Sequence, residues 1–326
     1  MAKKKFKAES QRLLDLMINS IYTHKEIFLR EIVSNASDAI DKLCYKSLTD
    51  ENVGMKREDF RISIHADSEA RTLTVSDNGI GMNADELDNN LGVIASSGTY
   101  QFRQEVGKDN EDVDIIGQFG VGFYSAFMVA DHITVITKKY GEEQAYRWES
   151  NGADGYSVTP CEKETVGTDI IMHIKEDGEE EKYSDFLQEH TLRSLIKKYS
   201  DYIRWPIRME VTKSRQTEDS TEEEPKYESY KEEETLNSMV PLWQRKKSDV
   251  SREEYDKFYQ EKFSDFTAPQ SVITVSAEGQ VSYKALLYIP SRPPFDYYSA
   301  DYERGLQLYS AGVMIMDKCQ DLIGDN

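Results

Sequence analysis

The sequence predicts an α/β chain: a two-layer (α+β) domain of helices over a sheet, then a charged linker, then the front of a second α/β unit. Three observations support this. Residues 9–45 carry apolar side chains at helical spacing. Between residues 61 and 211, short alternating segments bounded by glycine and polar turns recur, the pattern of half-buried strands. Composition then changes at residues 217–234, which are nearly all Glu, Asp, Ser, Thr and Lys. Such a run repels itself and has nothing with which to build a core. The first domain is expected at residues 1–212, the linker at 213–235 and the second unit at 236–326.

A length of 326 residues fits about two domains, and 20 Tyr, 12 Phe and 3 Trp are too many aromatics for a disordered chain. The net charge of −20 repels phosphate backbones and anionic lipid, so neither nucleic acid nor a membrane is an expected partner. Cys44, Cys161 and Cys319 are far apart and odd in number, which suggests neither a disulfide framework nor a zinc site. The scattered His24, His65, His132, His173 and His190 read as surface or core residues rather than ligands. The basic start, Met1-Ala2-Lys3-Lys4-Lys5-Phe6, lacks a following apolar run and so does not read as a signal peptide. The best apolar run, 123–136, is broken by Asp131 and His132 and is too short to span a bilayer. A cytoplasmic location is expected.

Helices are expected at 9–24 and 26–45. The second buries Phe28, Leu29, Ile32, Val33, Ala36, Ile40 and Leu43. Glu31, Asn35 and Asp38 recur at i, i+4, i+7 and project from one stripe, with Ala36 and Ala39 leaving room beside them. A solvated polar face is the plain alternative. Residues 61–66 and 71–76 read as a hairpin that runs into Asp77-Asn78-Gly79-Ile80-Gly81-Met82. Two glycines directly after a strand let the backbone approach a flat ligand, and Asp77 can accept a hydrogen bond from the edge of a ring. Read alone, the same residues are ordinary turn chemistry. A short helix is expected at 83–91.

Residues 92–122 are polar and punctuated by glycine, which suits a mobile lid. They end in Gly117-Gln118-Phe119-Gly120-Val121-Gly122, and a helix expected from Phe123 puts the amides of 120–123 at its N-terminus, where phosphate binds. Strands are expected at 133–137, 145–148, 156–158 and 167–174, helices at 183–190 and 191–200, and a last strand near Val211. Beyond the linker, 253–263 has a helical pattern, 272–277 and 283–289 form a hairpin, and 305–316 offers one more strand.

The Glu31/Asn35/Asp38 face, the Asp77-x-Gly79-x-Gly81 turn, the Gly-x-x-Gly-x-Gly helix entry and Gly167-Thr168 follow in that order. This order resembles the ATP-binding fold shared by gyrase, heat-shock protein 90 chaperones, histidine kinases and MutL-type repair proteins. It is unlike a P-loop, since no Gly-Lys-Ser/Thr follows the glycines. Within that group, the stretch from Phe28-Leu29-Arg30-Glu31 through Ser34-Asn35-Ala36-Ser37-Asp38-Ala39 is similar to the heat-shock protein 90 family. So are Asn89-Asn90-Leu91-Gly92, Ser97-Gly98-Thr99, residues 117–125 and Phe295-Asp296-Tyr297-Tyr298. The resemblance runs from about residue 6 to the end and is nearest to the bacterial members.

The resemblance implies an ATP-dependent molecular chaperone that hydrolyses ATP to ADP and phosphate, cycles between open and clamped states on unfolded or partly folded client proteins, and is a homodimer at full length. It implies that Asn35 ligates Mg²⁺ and that Asp77 accepts from the adenine amino group, supported by Thr168. Met82, Asn90 and Phe123 would line the base and sugar pocket, with Asp38, Ser97 and Gly98 also at the nucleotide. Gly120, Val121, Gly122 and Phe123 would cradle phosphates, and Glu31 would orient and deprotonate the attacking water. One departure stands out: most relatives place a lysine where this chain has Ser96, so a cation near the phosphates or lid hinge is missing. The family's transition-state arginine is expected just past Asn326. Arg30, adjacent to Glu31, is expected to point about 100° away around the helix. Three rivals remain: a DNA-mismatch or topoisomerase ATPase of the same fold, a histidine kinase, and a nucleotide-binding module with little turnover.

Overall fold

Helix α1, Ile27–Ser47, is buried around most of its circumference. Phe28, Ile32, Val33 and Ile40 are fully enclosed, and burying each such side chain is worth about 1.5–3 kcal/mol. The computed structural model describes residues 24–93, 122–152, 155–179, 181–216, 227–279, 282–294, 297–299 and 302–322. The helix expected at 9–24, apart from His24, and most of the lid expected at 92–122 lie outside these. The chain divides into two units, Met1–Asn237 and Ser238–Asn326.

In the first unit, β1 (Ile62–Asp67), β2 (Thr72–Asp77), β3 (Ala130–Lys138), β4 (Ala145–Ser150), β5 (Tyr156–Cys161), β6 (Gly167–Ile174), β7 (Ile207–Gln216) and β8 (Tyr227–Thr235) form one sheet. Its order is β5-β4-β3-β6-β2-β1-β7-β8, antiparallel throughout except for the parallel β1–β7 pair. The strands alternate as a half-buried sheet should: β2 buries Leu73, Val75 and Asp77 and turns Thr72, Thr74 and Ser76 the other way. Helix α1 packs on this sheet together with α3 (Glu189–Tyr199), giving the two-layer α/β arrangement. Helix α2 (Ala84–Leu91) starts on a reciprocal cap. Asn83 Oδ1 accepts from the Glu86 amide and Glu86 Oε2 accepts from the Asn83 amide, both at 3.0 Å.

In the first unit three elements differ from expectation. The segment after Gly122 is a 3₁₀ helix, Gly122–Met128, rather than an α-helix, and 183–187 is also 3₁₀. The stretch expected to be a structureless linker supplies the end of β7 and all of β8. Composition was right that β8 has little to bury, for most of it is exposed. Backbone pairing and ion pairs hold it instead: Arg208–Glu233, Lys231–Glu210 and Arg215–Glu228 join it to β7, and Arg193 of α3 reaches Glu234. The acidic strand is thus offset by basic residues on its neighbours.

In the second unit, α4 (Arg252–Phe263) is capped by Ser251 with Glu254. Leu242, Val250 and Tyr255 form a small core, and β9 (Ser271–Ala277) pairs with β10 (Tyr283–Ile289). The single strand expected at 305–316 is a hairpin, β11 (Leu306–Ser310) and β12 (Val313–Cys319). It turns at Ala311 and Gly312, both at positive φ.

Candidate functional site

Between Phe28 and Leu43, the half-exposed positions of α1 are 30, 31, 35, 39 and 42. The last four recur at intervals of four, four and three, so they form one open stripe along an otherwise buried helix. Glu31 and Asn35 stand on it, and the adjoining Asp38 is buried. One turn on, burial lowers the pKa of Lys42, and the charges opposing that fall are Asp38, Glu86 and Asp77. Carboxylates of α1, α2 and the end of β2 therefore act on one ammonium.

The turn after β2 lies directly on this helix. A Cβ on Gly79 would stand 2.4 Å from the Ala39 backbone carbonyl carbon, and the Ile80 amide donates to Ala39 O at 3.0 Å. Only glycine permits that approach. Gly81 has φ +66°, and a Cβ there would meet Lys138 O at 2.0 Å.

Asp77 closes β2 and is 9 % exposed. Its Oδ1 accepts from the Gly79 amide at 2.8 Å. Burial pushes its carboxyl up to about 7; the Gly79 amide and Lys163 oppose the rise, while Asp169 adds to it. Asp77 pairs with Thr168 across β2–β6, and Thr168 pairs with Thr137 across β6–β3. A buried carboxylate and two buried hydroxyls thus stand in one row. The hydroxyls of Thr137 and Thr168 are 3.0 Å apart, and the Met82 amide donates to Thr137 Oγ1 at 2.9 Å. Thr137 was missed from sequence. Its one signal was a hydroxyl at the end of an apolar strand, which means nothing until the strand register is known.

Met82 is brought beside Asn90 of α2, whose Nδ2 lies 3.9 Å from Met82 Sδ. Phe123 is buried edge-on against Trp148, with ring centres 5.5 Å apart. Gly122 faces Glu31 so closely that a Cβ on it would stand 2.4 Å from Glu31 Oε2. The other oxygen, Oε1, accepts from Arg30 Nε at 2.9 Å and Nη2 at 2.6 Å. Arg30 therefore does not point away from Glu31 as its helical angle suggested. Its long side chain curls back onto the carboxylate and passes near the Tyr199 ring. Of the residues expected at the site, Glu31, Asn35, Asp38, Asp77, Met82, Asn90, Gly122, Phe123 and Thr168 are placed in this region. Ser97, Gly98, Gly120 and Val121 lie outside the described residues.

Comparison with known proteins adds to this geometry. Residues 22–173 match the family described as "Histidine kinase-, DNA gyrase B-, and HSP90-like ATPase". Residues 185–234 and 226–325 match "Hsp90 protein". The "Chaperone protein HtpG" of Clostridium botulinum (strain Langeland) is 57% identical over 325 residues, and that of Bacillus subtilis (strain 168) is 56% identical over 326. The protein of that name from Clostridium acetobutylicum is 57% identical over 325 residues. Each alignment covers 100% of this chain and 51% of the relative, so the chain spans about half the length of the curated relatives it matches. With the fold, the Asp77 turn and identity above one half across the whole of this chain all in agreement, the chain belongs to the heat-shock protein 90 family.

Proposed function

We propose that the first unit binds Mg²⁺-ATP and hydrolyses it to ADP and phosphate, and that this drives the clamp cycle of a cytoplasmic ATP-dependent chaperone acting on unfolded or partly folded client proteins as a homodimer. The supporting observation is how the open stripe of α1 is bounded. At Ala39 it lies under the Asp77 turn, and at Glu31 it lies against Gly122. These positions are eight residues apart, about 12 Å along the axis, which suits a ligand with a flat ring at one end and an anion at the other.

At the ring end, ionised Asp77 accepts from an exocyclic amino group, and the Thr168 and Thr137 hydroxyls fill the row beside it. Met82 and Asn90 border the base and sugar, and Asp38 lies beneath the stripe. Phosphates extend toward Gly122 and Phe123, joined by Gly120, Val121, Ser97 and Gly98. Asn35, half-buried midway along the stripe, offers one hard oxygen, which fits an ion that keeps its waters and leans on substrate phosphates. Mg²⁺, when bound, offsets charge on the transferring phosphoryl group. Glu31 is held by Arg30 through Oε1, leaving Oε2 turned toward Gly122. That oxygen orients a water and takes its proton as the water attacks.

Among the described residues no helix is long and apolar enough to cross a membrane. The deciding experiment is a calorimetric titration with ATP and ADP, with and without Mg²⁺, followed by phosphate release. Affinity for neither nucleotide would refute the reading; binding without release in a protein of the relatives' full length would leave a nucleotide-binding module with little turnover.

A further inference from the structure

Lys175, just after β6, closes the end of the 3₁₀ turn 122–128 that begins at the site. Its backbone amide donates to Val129 O at 2.9 Å. Its ammonium donates to Phe127 O at 2.7 Å and Met128 O at 3.1 Å. Three successive carbonyls at the end of the turn thus meet donors from one residue, and a cation faces the negative end of the turn's dipole. Burial lowers the pKa of this half-buried ammonium; Lys25 adds to the fall, and Asp131 and Glu181 oppose it.

The same loop also grips α1. Lys25, two residues before the helix, donates to Glu181 Oε1 at 2.5 Å and to Tyr183 OH at 2.8 Å. Tyr183 OH donates to Glu181 in turn, and the Lys175 ammonium lies 5.8 Å from the centre of the Tyr183 ring. Lys175, with Glu181 and Tyr183, therefore holds the start of α1 and the end of the 122–128 turn. These are the two elements whose Glu31 and Gly122 meet at the site. A 3₁₀ turn has poorer hydrogen-bond geometry than an α-helix, so its position depends on how its ends are held.

We propose that Lys175 is a positioning residue for hydrolysis: by fixing the far end of the 122–128 turn, it sets where Gly122 and Phe123 stand relative to Glu31. The proposal rests on the nucleotide-site reading above. Misplacement by about 1 Å at such a site can cost on the order of a hundredfold in rate.

The test is steady-state ATP hydrolysis in the protein at the full length of its relatives, with amide exchange followed across the first unit. Lys175→Met keeps the apolar stem and removes the donors; Lys175→Arg keeps donors for both carbonyls. The Met variant should lose about tenfold or more in kcat with KM for ATP changed far less. Exchange should quicken at 122–129 and stay unchanged in β2. The Arg variant should recover most of the kcat, which a mere loss of folded protein would not explain. Should the Met variant fail to fold, Lys175→Gln carries the same test. Wild-type kcat in the folded Met or Gln variant, or an Arg variant as slow as Met, overturns the proposal. Glu31→Ala runs alongside: if it hydrolyses ATP at the wild-type rate, the site reading itself fails. If it is inactive while Lys175→Met is unimpaired, only the positioning role fails.

Discussion

Replacing Asp77 by Asn should abolish nucleotide binding and, at the same time, stabilise the ligand-free protein. Burial raises the Asp77 carboxyl from an ordinary 3.8 to about 7. The folded state therefore holds this proton to higher pH than the unfolded chain does. The sign follows: stability attributable to Asp77 is full below pH 3.8, falls as pH rises, and is lost by about pH 7. The gap between 3.8 and about 7 corresponds to about 4 kcal/mol withheld from the ligand-free fold above pH 7, an upper bound because denatured chains keep some structure. Asparagine has nearly the same shape, keeps an oxygen for the Gly79 amide, and does not titrate. At the ring, however, its NH₂ would face an amino group that also donates. Losing a bond to a charged acceptor and leaving a buried mismatch should cost roughly 3 kcal/mol or more, on the order of a hundredfold in affinity. Urea unfolding of both proteins at pH 5 and pH 8 and calorimetry with ADP at pH 8 make the test. The variant should be the more stable at pH 8, with the difference shrinking at pH 5. Wild-type ADP binding should strengthen as pH rises through about 7, since a donor prefers the ionised carboxylate. Wild-type affinity in folded Asp77→Asn, or a stability difference that does not change with pH, would refute the reasoning.

Glu31→Ala should keep ATP affinity while abolishing turnover in the full-length protein, because in the proposed site Glu31 meets water rather than nucleotide; weakened binding with unchanged turnover per bound ATP would place the base elsewhere. Thr137→Val preserves shape but leaves the Met82 amide without its acceptor. It should cost about 1–3 kcal/mol by denaturant unfolding and weaken ADP binding, and a neutral result would remove Thr137 from the site. Gly79→Ala forces its Cβ into the Ala39 backbone and should cost about 1–3 kcal/mol, with ADP affinity falling in step; unchanged melting would mean that the turn does not rest on α1 as described.

What could be read from sequence divides along physical lines. The places of Glu31 and Asn35 on one helix stripe and of Asp77 at a strand end were legible because acid, amide and paired glycines at fixed spacings are uncommon and map directly onto helix and strand periodicity. The sheet was legible for the same reason, since alternation marks a half-buried strand whatever it pairs with. Pairing itself was not. The 213–235 stretch reads as a solvated linker because its composition buries nothing, yet β8 forms, since an edge strand needs only a backbone ladder and charges of opposite sign opposite it. Arg30 misled in another way: a helical wheel gives the direction of Cβ, and four further bonds let a guanidinium return to its neighbour's carboxylate.

Thr137 and Lys175 share a deeper reason for being hidden. Neither belongs to a motif, because each acts on a backbone group whose need arises only after folding. The Met82 amide must find an acceptor once the turn leaves the sheet, and the carbonyls of 127–129 must find donors once the 3₁₀ turn ends. Asp77 joins the two levels. Its place at a strand end is written in the sequence, but its raised pKa comes from burial within a register that aligns it with two hydroxyls. In the ligand-free protein that carboxylate is an energetic cost, and in the proposed complex a ring amino group would relieve it by supplying a further donor. On that reading the cost at Asp77 would become binding energy only for a ligand that donates at that point.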